Sequence, residues 1–351
     1  MARKVVRSRN IAEARILIIY TGGTIGMIQD PKAKALKPFN FNRIISEIPE
    51  LRKFNLEIDA ISFRPVIDSS NMTPGKWEQL AQMLQEHYDQ YDGFVILHGT
   101  DTLAYTASAL SYMFEGLNKP VVFTGSLLPV REIRTDAPEN LITAIEIASS
   151  RKGNKPAVPE VCVYFDYELF RGNRVSKFSS SQFGAFHSPN YPALAEAGVN
   201  IDFRNAYISR FGKGRFKVTG GFCADVGVLT LFPGISREWV RASLSADGLR
   251  GVVLQSFGSG NATTASWFLD AISDAVESGM LVLNTSQCPA GKVIQGKYAT
   301  SKSLRDIGVI SGMDMTLEAS VTKMMFLLGR DIPLNMVKKH LNSNLKGELT
   351  A

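Results

Sequence analysis

The sequence predicts an α/β fold: a larger N-terminal domain with a mostly parallel sheet flanked by helices, and a smaller C-terminal flavodoxin-like α/β domain. Short runs rich in Val, Ile and Phe alternate with segments of helical periodicity, a pattern typical of parallel sheets covered by helices. A glycine-rich, charged stretch interrupts the alternation once, and the alternation then resumes. These observations predict two α/β domains joined by a linker.

Five apolar runs in the first part of the chain are predicted to be buried strands. Each is short and rich in Val, Ile and Phe, as the strands of a parallel sheet usually are. The runs are Arg15 to Tyr20, Leu56 to Phe63, Phe94 to Leu97, Val121 to Thr124 and Val161 to Phe165.

Three helices are predicted between these strands, because apolar residues recur there three or four positions apart. The first follows Thr73-Pro74, an N-cap with proline in the first turn, the second follows Asp101-Thr102, and the third follows Asp136. Their apolar positions are Trp77, Leu80, Ala81, Leu84 and Tyr88, then Leu103, Ala107, Leu110, Phe114 and Leu117, then Leu141, Ala144, Ile145 and Ala148.

The domain limits follow from the glycine-rich interruption. We predict a basic tail over residues 1–14, an N-terminal α/β domain over 15–204, a linker over 205–224 and a C-terminal α/β domain over 225–351. The elements predicted after the linker are strands at Val226 to Phe232, Gly251 to Gln255 and Met280 to Asn284, and helices from Ser236, at Thr263 to Ser278, at Met315 to Leu328 and at Pro333 to Leu341.

Composition limits the possible functions. With 351 residues, 45% of them hydrophobic, the chain can build its cores without a disulfide or a metal. Its 39 basic and 33 acidic residues give a net charge of +6 spread along the chain, which argues against nucleic acid as a partner. No apolar stretch approaches the roughly 20 residues that span a bilayer. We therefore expect a protein that binds neither nucleic acid nor membrane.

The cysteines and the N-terminus favour a cytoplasmic protein. Cys162, Cys223 and Cys288 are odd in number, far apart and without a histidine at metal-ligand spacing, so they are interpreted as reduced thiols. The start, Ala2 to Arg9, is basic, but the apolar run Ile16 to Tyr20 is too short for a signal peptide. A solvated basic tail is the favoured interpretation, with an organellar presequence as the alternative.

Two threonine-centred turns carry most of the functional information. Thr21-Gly22-Gly23-Thr24-Ile25-Gly26 follows the first predicted strand, and His98-Gly99-Thr100-Asp101-Thr102 follows the third. Open α/β sheets place their reactive groups in such turns.

The first turn combines a tight bend with a hydroxyl group. Gly22 and Gly23 permit the bend and the close approach of a ligand, while Thr24 supplies a nucleophile or a hydrogen-bond donor. A phosphate-binding glycine turn is the alternative. The dinucleotide spacing Gly-x-Gly-x-x-Gly is not met, which weakens that alternative.

The second turn offers a hydroxyl and a carboxylate. Asp101 either caps the next helix or, if Thr102 caps it, is free to bind a ligand's ammonium group. A hydroxyl nucleophile needs a base, and the histidines form no recognisable constellation. A lysine made neutral by partial burial is the remaining candidate, and we choose Lys177, which Phe178 would help to shield from water; a solvated surface role is the alternative for this lysine.

The residues quoted above resemble the L-asparaginase family, in particular its cytosolic bacterial type I branch. The resemblance extends over nearly the whole chain. Its motifs are Tyr20 to Gly26, Met72-Thr73-Pro74, Asp92 to Ser108, Thr124-Gly125-Ser126, Arg171-Gly172-Asn173-Arg174, Phe232-Pro233-Gly234-Ile235, Gly260-Asn261-Ala262 and Gly312-Met313-Asp314-Met315-Thr316.

The resemblance implies hydrolysis of L-asparagine to L-aspartate and ammonia without metal or cofactor, by a homodimer or homotetramer. By position, Thr24 corresponds to the family's nucleophile, and Thr100, Lys177 and Asp101 to a second triad of hydroxyl, base and carboxylate. Thr100 and Asp101 also belong to the implied substrate site. The substrate's α-carboxylate and amine are assigned to Asp68, Ser69 and Ser70; a helix-initiating turn is compatible with that role.

One departure concerns the lid that follows the first turn. Many family members carry a tyrosine there, which partners the nucleophile, whereas this chain has Leu36 in Lys34 to Pro38. Either another phenol serves, with Tyr298 as our candidate, or Thr24 is activated by water and backbone alone. Whether the reaction passes through a covalent intermediate, or Thr100 delivers water directly, stays open at this point.

Alternative functions belong to other classes. A binding module for an amino acid or nucleotide would release no ammonia, and the paired Thr24 and Thr100 argue against it. A tRNA amidotransferase subunit shares the catalytic domain but is expected to carry an added N-terminal domain. The Gly-x-Ser-x-Gly elbow of serine hydrolases is not found, and an N-terminal-nucleophile amidase would lose the first strand on exposing Thr24.

Overall fold

The computed structural model describes residues 3–6, 13–30, 35–38, 47–296 and 299–350. It divides into two compact units. The larger contains Met1–Ser188 and Pro192–Thr219, and the smaller contains Pro189–Tyr191 and Gly220–Ala351.

The larger unit is built on one mixed sheet of nine strands, with short hairpins around it. Its sheet order is β1-β5-β2-β6-β8-β11-β12-β15-β16. The strands of this unit are β1 (Arg3–Val6), β2 (Ala14–Tyr20), β3 (Met27–Asp30), β4 (Ala35–Pro38), β5 (Leu56–Ser62), β6 (Gly93–Leu97), β7 (Phe114–Glu115), β8 (Val121–Thr124), β9 (Arg151–Lys152), β10 (Lys155–Pro156), β11 (Val161–Phe165), β12 (Glu168–Arg171), β13 (Ser176–Lys177), β14 (Phe186–His187), β15 (Ala195–Ala197), β16 (Ile201–Phe203) and β17 (Lys217–Val218).

The centre of this sheet is parallel and consists of the five predicted strands. β5, β2, β6, β8 and β11 pair in parallel, and every residue of β6, β8 and β11 is buried, which explains their uninterrupted apolar character. Taken in chain order, these five strands lie in the order 2-1-3-4-5. That is the flavodoxin-like order, which therefore occurs in the larger unit.

Three helices of this unit confirm the predicted periodicity. They are α1 (Pro74–His87), α2 (Leu103–Met113) and α3 (Ala137–Ser149). Helix α1 buries the predicted stripe Trp77, Leu80, Ala81 and Leu84. Single turns of 3-10 helix occur at Thr24–Gly26, Pro49–Lys53, Ser69–Asn71 and Tyr88–Gln90.

The structure corrects the expected basic tail. Residues Arg3–Val6 form an edge strand, antiparallel to β5, with Arg3 opposite Ala60. Backbone pairing on one side suffices for an edge strand, and basic residues are well tolerated there. A charged N-terminal sequence is therefore compatible with a place in the sheet.

Part of the predicted linker is packed onto the larger unit. Lys217–Val218 pairs antiparallel with Phe114–Glu115, and the ring of Phe216 stacks on Tyr88 with centroids 3.8 Å apart. The unit boundary falls between Thr219 and Gly220. Glycine and charge suggested a free linker, but the aromatic ring provides enough apolar surface to bind this segment to the domain.

The smaller unit has a parallel sheet in the order β18-β19-β20-β21, with strands in chain order and without the reversal of a flavodoxin-like sheet among the described residues. Its core includes Leu229, Leu254, Phe268 and Val282. Its elements are β18 (Val226–Thr230), α4 (Arg237–Leu244), β19 (Gly251–Ser256), α5 (Ser266–Glu277), β20 (Leu281–Ser286), α6 (Ala299–Asp306), β21 (Ile310–Ser311), α7 (Leu317–Leu328) and α8 (Leu334–Leu341).

Within the part of the chain that the structure describes, no helix is both long enough and apolar enough to cross a bilayer.

Candidate active site

The two threonine-centred turns lie where the strand order of the larger sheet reverses. Strand β2 is the first parallel strand of the chain and pairs with β5 on one side and with β6 on the other. The turns that follow β2 and β6 therefore leave neighbouring carboxyl ends of the sheet. Such a reversal opens a crevice in which α/β proteins bind ligands.

Backbone hydrogen bonds hold the first turn over the sheet. Thr21 donates from its amide and from its hydroxyl to the carbonyl of Leu97, at 3.0 Å in each case. Gly22 and Gly23 then adopt φ of +143° and +96°, which L side chains rarely tolerate. This bend leads into the 3-10 turn of Thr24–Gly26 and leaves Thr24 partly exposed.

The first turn, the second turn and the loop after β5 are in direct contact. A Cβ at Gly23 would lie 2.6 Å from the Cα of Gly99, and a Cβ at Gly99 would lie 2.6 Å from the Oγ of Ser69. Thr102 donates from its hydroxyl to the carbonyl of Ser69 at 2.8 Å. The three segments predicted from separate motifs thus form one wall of backbone and small side chains.

Thr100, Asp101 and Lys177 form a hydrogen-bonded triad. The amine of Lys177 donates to the Oγ1 of Thr100 at 2.9 Å and to the Oδ1 of Asp101 at 2.5 Å. Thr102 occupies the N-cap position of α2 without a side-chain capping bond. Neither Asp101 nor Thr102 therefore caps α2 with its side chain. Asp101 binds the amine of a lysine of the same chain, and Thr102 contacts the loop after β5.

Lys177 is positioned by a short hairpin. Ser176–Lys177 pairs antiparallel with Phe186–His187, and the side chain of Lys177 is 19% exposed. The neighbouring Phe178 is 67% exposed, with its ring edge-on to His187, so most of this ring lies in solvent. The expectation that Phe178 shields Lys177 is therefore not met.

Asp68, Ser69 and Ser70 form a tight cap after β5. The Oδ1 of Asp68 accepts hydrogen bonds from the amide and the hydroxyl of Ser70, both at 2.9 Å. These bonds stabilise the carboxylate and hold the pKa of Asp68 below its usual value. Ser69 is buried, whereas Asp68 and Ser70 face solvent. The cap thus presents an ionised carboxylate at the edge of the crevice, and it also begins the 3-10 turn before α1, so the helix-initiating role is compatible with the substrate-binding role predicted for this loop.

A buried histidine behind the second turn is the main feature that sequence reasoning missed. The Nδ1 of His98 lies 2.7 Å from the carbonyl oxygen of Gly99, and its Nε2 lies 3.0 Å from the Oγ1 of Thr106. Burial lowers the pKa of His98 to about 4, so the ring is neutral at pH 7. A carbonyl only accepts, so Nδ1 carries the proton and Nε2 accepts from Thr106. The position of His98 directly before Gly99 was the available signal.

The last two predicted features are Tyr298 and the lid segment around Leu36. Tyr298 lies outside the described residues. The segment that contains Leu36 forms strand β4, which pairs with β3 as a hairpin, with Gln29 opposite Leu36 in the register. No group of three or more His, Cys, Asp or Glu residues within the described ranges is arranged to hold a metal ion.

Comparison with known proteins covers both units. The family model described as Asparaginase, N-terminal, matches residues 15–208, and the model described as Glutaminase/Asparaginase C-terminal domain matches residues 225–341. L-asparaginase 1 of Escherichia coli is 42% identical over 336 residues, which are 95% of this chain and 98% of that protein.

Two further relatives extend this comparison. The crystal structure of L-asparaginase I from Vibrio cholerae superimposes with a TM-score of 0.88 at 41% identity, over 97% of this chain and 100% of that one. A glutamyl-tRNA(Gln) amidotransferase component of Methanopyrus kandleri is 34% identical over 352 residues, which are 95% of this chain and 74% of that protein.

Proposed function

Because this chain belongs to the asparaginase family, we propose that it hydrolyses L-asparagine to L-aspartate and ammonia. The observation that carries the proposal is the Thr100-Asp101-Lys177 triad beside the Thr24 turn, at the reversal point of the sheet. A hydroxyl next to an amine and a carboxylate is the arrangement required to activate a weak oxygen nucleophile.

In the first step we assign the nucleophile to Thr24. Its Oγ forms a bond to the side-chain amide carbon of the substrate, and its proton passes to the amide nitrogen, which leaves as ammonia. Backbone N–H groups of the two glycine turns are the donors available to stabilise the tetrahedral oxyanion. The product of this step is an ester between Thr24 and the aspartyl group.

In the second step we assign the activation of water to Thr100 and Lys177. Water adds to the ester carbonyl, the bond to Thr24 breaks, and the threonine hydroxyl is restored as aspartate leaves. When its amine is neutral, Lys177 can accept a proton from the Oγ1 of Thr100, and the carboxylate of Asp101, also in contact with that amine, stabilises the ammonium that forms.

Substrate binding is assigned to Asp68, Ser69, Ser70 and Asp101. The carboxylate of Asp68 is stabilised by the amide and hydroxyl of Ser70, and such an ionised group suits the substrate's ammonium. We propose that the loop after β5 orients the α-amino and α-carboxylate groups, and that the second turn holds the amide end.

The partner of Thr24 is proposed to be Tyr298. Leu36 has no polar group with which to activate a hydroxyl. We propose that the protein forms a homodimer or homotetramer in which Tyr298 reaches a Thr24 site, in the same or a neighbouring chain. Light scattering on the purified protein gives the number of chains in the assembly, and Tyr298→Phe tests the phenol.

We also propose that the protein is cytoplasmic and that it needs no cofactor. Cys162, Cys223 and Cys288 are all free, and Cys288 is exposed, which suits a reducing compartment. The tRNA amidotransferase role is the alternative. It is less well supported, because E. coli L-asparaginase 1 is 42% identical over 336 residues and the M. kandleri protein only 34% identical over 352 residues.

The test is steady-state ammonia release from L-asparagine and, separately, from L-glutamine. We expect release from asparagine to dominate, although one methylene group separates such substrates by only about 1 to 3 kcal/mol. Thr24→Ala and Thr100→Val are both expected to lose turnover with folding intact. No release from either substrate, or near wild-type turnover in either variant, would overturn the assignment.

The covalent step has its own test. Hydroxylamine intercepts an aspartyl ester on Thr24 and yields aspartyl hydroxamate at the expense of aspartate. Hydroxamate that appears with Thr100→Val but not with Thr24→Ala would support the two-step route. Its absence throughout would favour direct attack by water delivered from Thr100.

A further inference from the structure

The smaller unit contains a cavity of about 640 Å³ that the proposed reaction does not use. It lies between the segment 292–295, the end of α6, the residues around β21 and the last turn of α8. The described residues that line it belong to the smaller unit, whereas Thr24, Thr100 and Lys177 belong to the larger one. Its volume is in the range of cavities that hold small organic ligands.

Among the described residues that line this cavity, the charged side chains are all basic. They are Lys292, Arg305 and Lys338, and none of the described lining residues carries a carboxylate. Arg305 pairs with Asp306 at 3.1 Å, with both side chains half exposed. Within the described residues, Lys292 and Lys338 have no acidic side chain within ion-pair distance. The cavity therefore carries positive charge that the surrounding protein only partly neutralises.

A buried amide in the lining also lacks a partner. The Nε2 of Gln295 is inaccessible to solvent and makes no hydrogen bond in the structure. An unsatisfied buried donor costs roughly 1 to 3 kcal/mol, a cost that an acceptor in the cavity would remove once the Gln295 side chain turned towards it. Next to it, Gly296 has a φ of +92°, and a Cβ there would lie 3.2 Å from the Cζ of Arg305. The glycine therefore allows the guanidinium to lie directly against the backbone.

Much of the remaining lining is apolar. Val293, Val309 and Met313 contribute to it, together with Ile294 and Ile310. A hydrated inorganic ion would not pack against these apolar side chains. The combination of basic groups, an unsatisfied N–H donor and an apolar wall suits an anion that is attached to an uncharged organic body.

We propose that this cavity is a binding site for an organic oxyanion, a carboxylate or a phosphate ester. Lys292, Lys338 and the guanidinium of Arg305 contact the anionic oxygens, and the side chain of Gln295 turns so that its Nε2 donates to one of them. The uncharged part of the ligand packs on the apolar wall.

Isothermal titration calorimetry on the full chain tests the site with citrate as the carboxylate probe and adenosine 5′-monophosphate as the phosphate ester, with adenosine as the uncharged control. The matched variants are Lys338→Glu and Lys339→Glu. They make the same charge change at adjacent positions of α8, and only Lys338 lines the cavity. A third variant, Gln295→Glu, replaces the unsatisfied donor by a negative charge.

We expect one of the two probes to bind at one site per chain, at least tenfold more weakly after Lys338→Glu or Gln295→Glu and within twofold of wild type after Lys339→Glu. The probe that binds identifies the ligand as a carboxylate or a phosphate ester. Unchanged melting temperatures establish that the variants fold. Absence of saturable binding by both probes, equal weakening by Lys338→Glu and Lys339→Glu, or equal binding of adenosine would overturn the proposal.

Discussion

Lys177 shows the limits of identifying a single site residue from the sequence. Its amine contacts Thr100 and Asp101, which lie 77 and 76 positions away in the sequence, so no local sequence pattern predicts the triad. Partial burial beyond a strand made this lysine a candidate, but only the resemblance to a known family distinguished it from a solvated surface lysine. The contacts depend on hairpin β13–β14, an element of two-residue strands without a sequence pattern.

Replacement of Lys177 tests its role as a base. Lys177→Met removes the amine, and we expect turnover of asparagine to fall by about 10²- to 10⁴-fold, the usual contribution of a general base. Lys177→Arg keeps the charge but cannot accept a proton, so turnover is expected to fall nearly as far. Ammonia release measures both. Lys152→Met, at an exposed lysine of β9, is the control. Rescue by arginine would indicate an electrostatic role instead.

His98 links the second turn to the pH dependence of stability. Its pKa is about 4 in the folded protein against an unfolded value near 6.5, because burial opposes the charged ring. A folded-state pKa below the unfolded one contributes stability that is complete above pH 6.5 and lost as pH falls towards 4. We expect a loss of roughly 2 to 3 kcal/mol between pH 7 and pH 4.5 from this group.

Urea unfolding of wild type and His98→Asn at both pH values isolates this contribution. Asparagine does not titrate and can still donate to the carbonyl of Gly99, so the variant should lose about 2 to 3 kcal/mol less than wild type on acidification. His187→Asn, at an exposed histidine, controls for general effects of the substitution. Identical acid sensitivity in wild type and His98→Asn would contradict the assignment of a neutral buried ring.

At the scale of elements, the first turn is shaped by backbone approach. Gly23 has a φ of +96°, and a Cβ there would meet the backbone of Gly99 at 2.6 Å. Gly153 also has a positive φ, of +62°, but a Cβ at that position would meet nothing within 4 Å. Gly153 is therefore a control for a positive φ without a contact, while Gly23, with φ and ψ of 96° and 170°, combines a backbone conformation reserved for glycine with the contact to the second turn.

Alanine at these two glycines is therefore expected to behave differently. Gly153→Ala should cost about 1 to 2 kcal/mol of stability and leave turnover unchanged, since only the left-handed backbone is penalised. Gly23→Ala should cost at least about 3 kcal/mol and abolish most turnover, because the Thr24 turn must move away from Thr100. Urea unfolding and ammonia release give the two quantities. Equal effects of the two variants would show that contact between the turns is unimportant.

The predictability of the elements follows their length. The five central strands were predicted because burial on both faces produces short continuous apolar runs. Helices α1 to α3 were predicted because one buried face produces apolar residues three or four positions apart. The antiparallel strands β12, β15 and β16 were missed: they are three or four residues long, and their pairing depends on distant neighbours. The edge strand β1 was missed because its basic residues are equally typical of a solvated tail.

At the scale of the whole molecule, the sequence predicted two α/β units but not their strand orders. The reversal between β5, β2 and β6 brings the Asp68, Thr24 and Thr100 segments together, and this order depends on pairing between separate runs. The three site segments were still recognised, because each follows a predicted strand at its carboxyl end.

The end of the chain is held by a buried ion pair. Lys323 on α7 and Glu348 are both fully buried, with Nζ and Oε1 2.5 Å apart. Lys323 also donates to the carbonyls of Leu341 and Ser343, and Glu348 accepts from the amide of Lys346. Burial lowers the pKa of Lys323, and the carboxylate of Glu348 opposes that shift. The pair thus joins residues 341–348 to a helix that begins some thirty positions earlier.

Removing one charge of this pair is expected to destabilise the fold strongly. Glu348→Gln keeps the shape but leaves the Lys323 ammonium buried without its counterion, at a cost of about 3 to 5 kcal/mol in urea unfolding at pH 7. Glu196→Gln, which breaks an exposed pair with Arg204, should cost no more than about 1 kcal/mol.

The pH dependence of the same variant separates charge burial from lost packing. Without Glu348, the pKa of Lys323 falls further, so the folded state binds fewer protons than the unfolded state and the stability of Glu348→Gln rises with pH. The deficit relative to wild type is therefore expected to be smaller at pH 9 than at pH 6, since a neutral amine no longer needs a counterion. A deficit that is equal at both pH values would show that lost packing, and not the buried charge, weakens the variant.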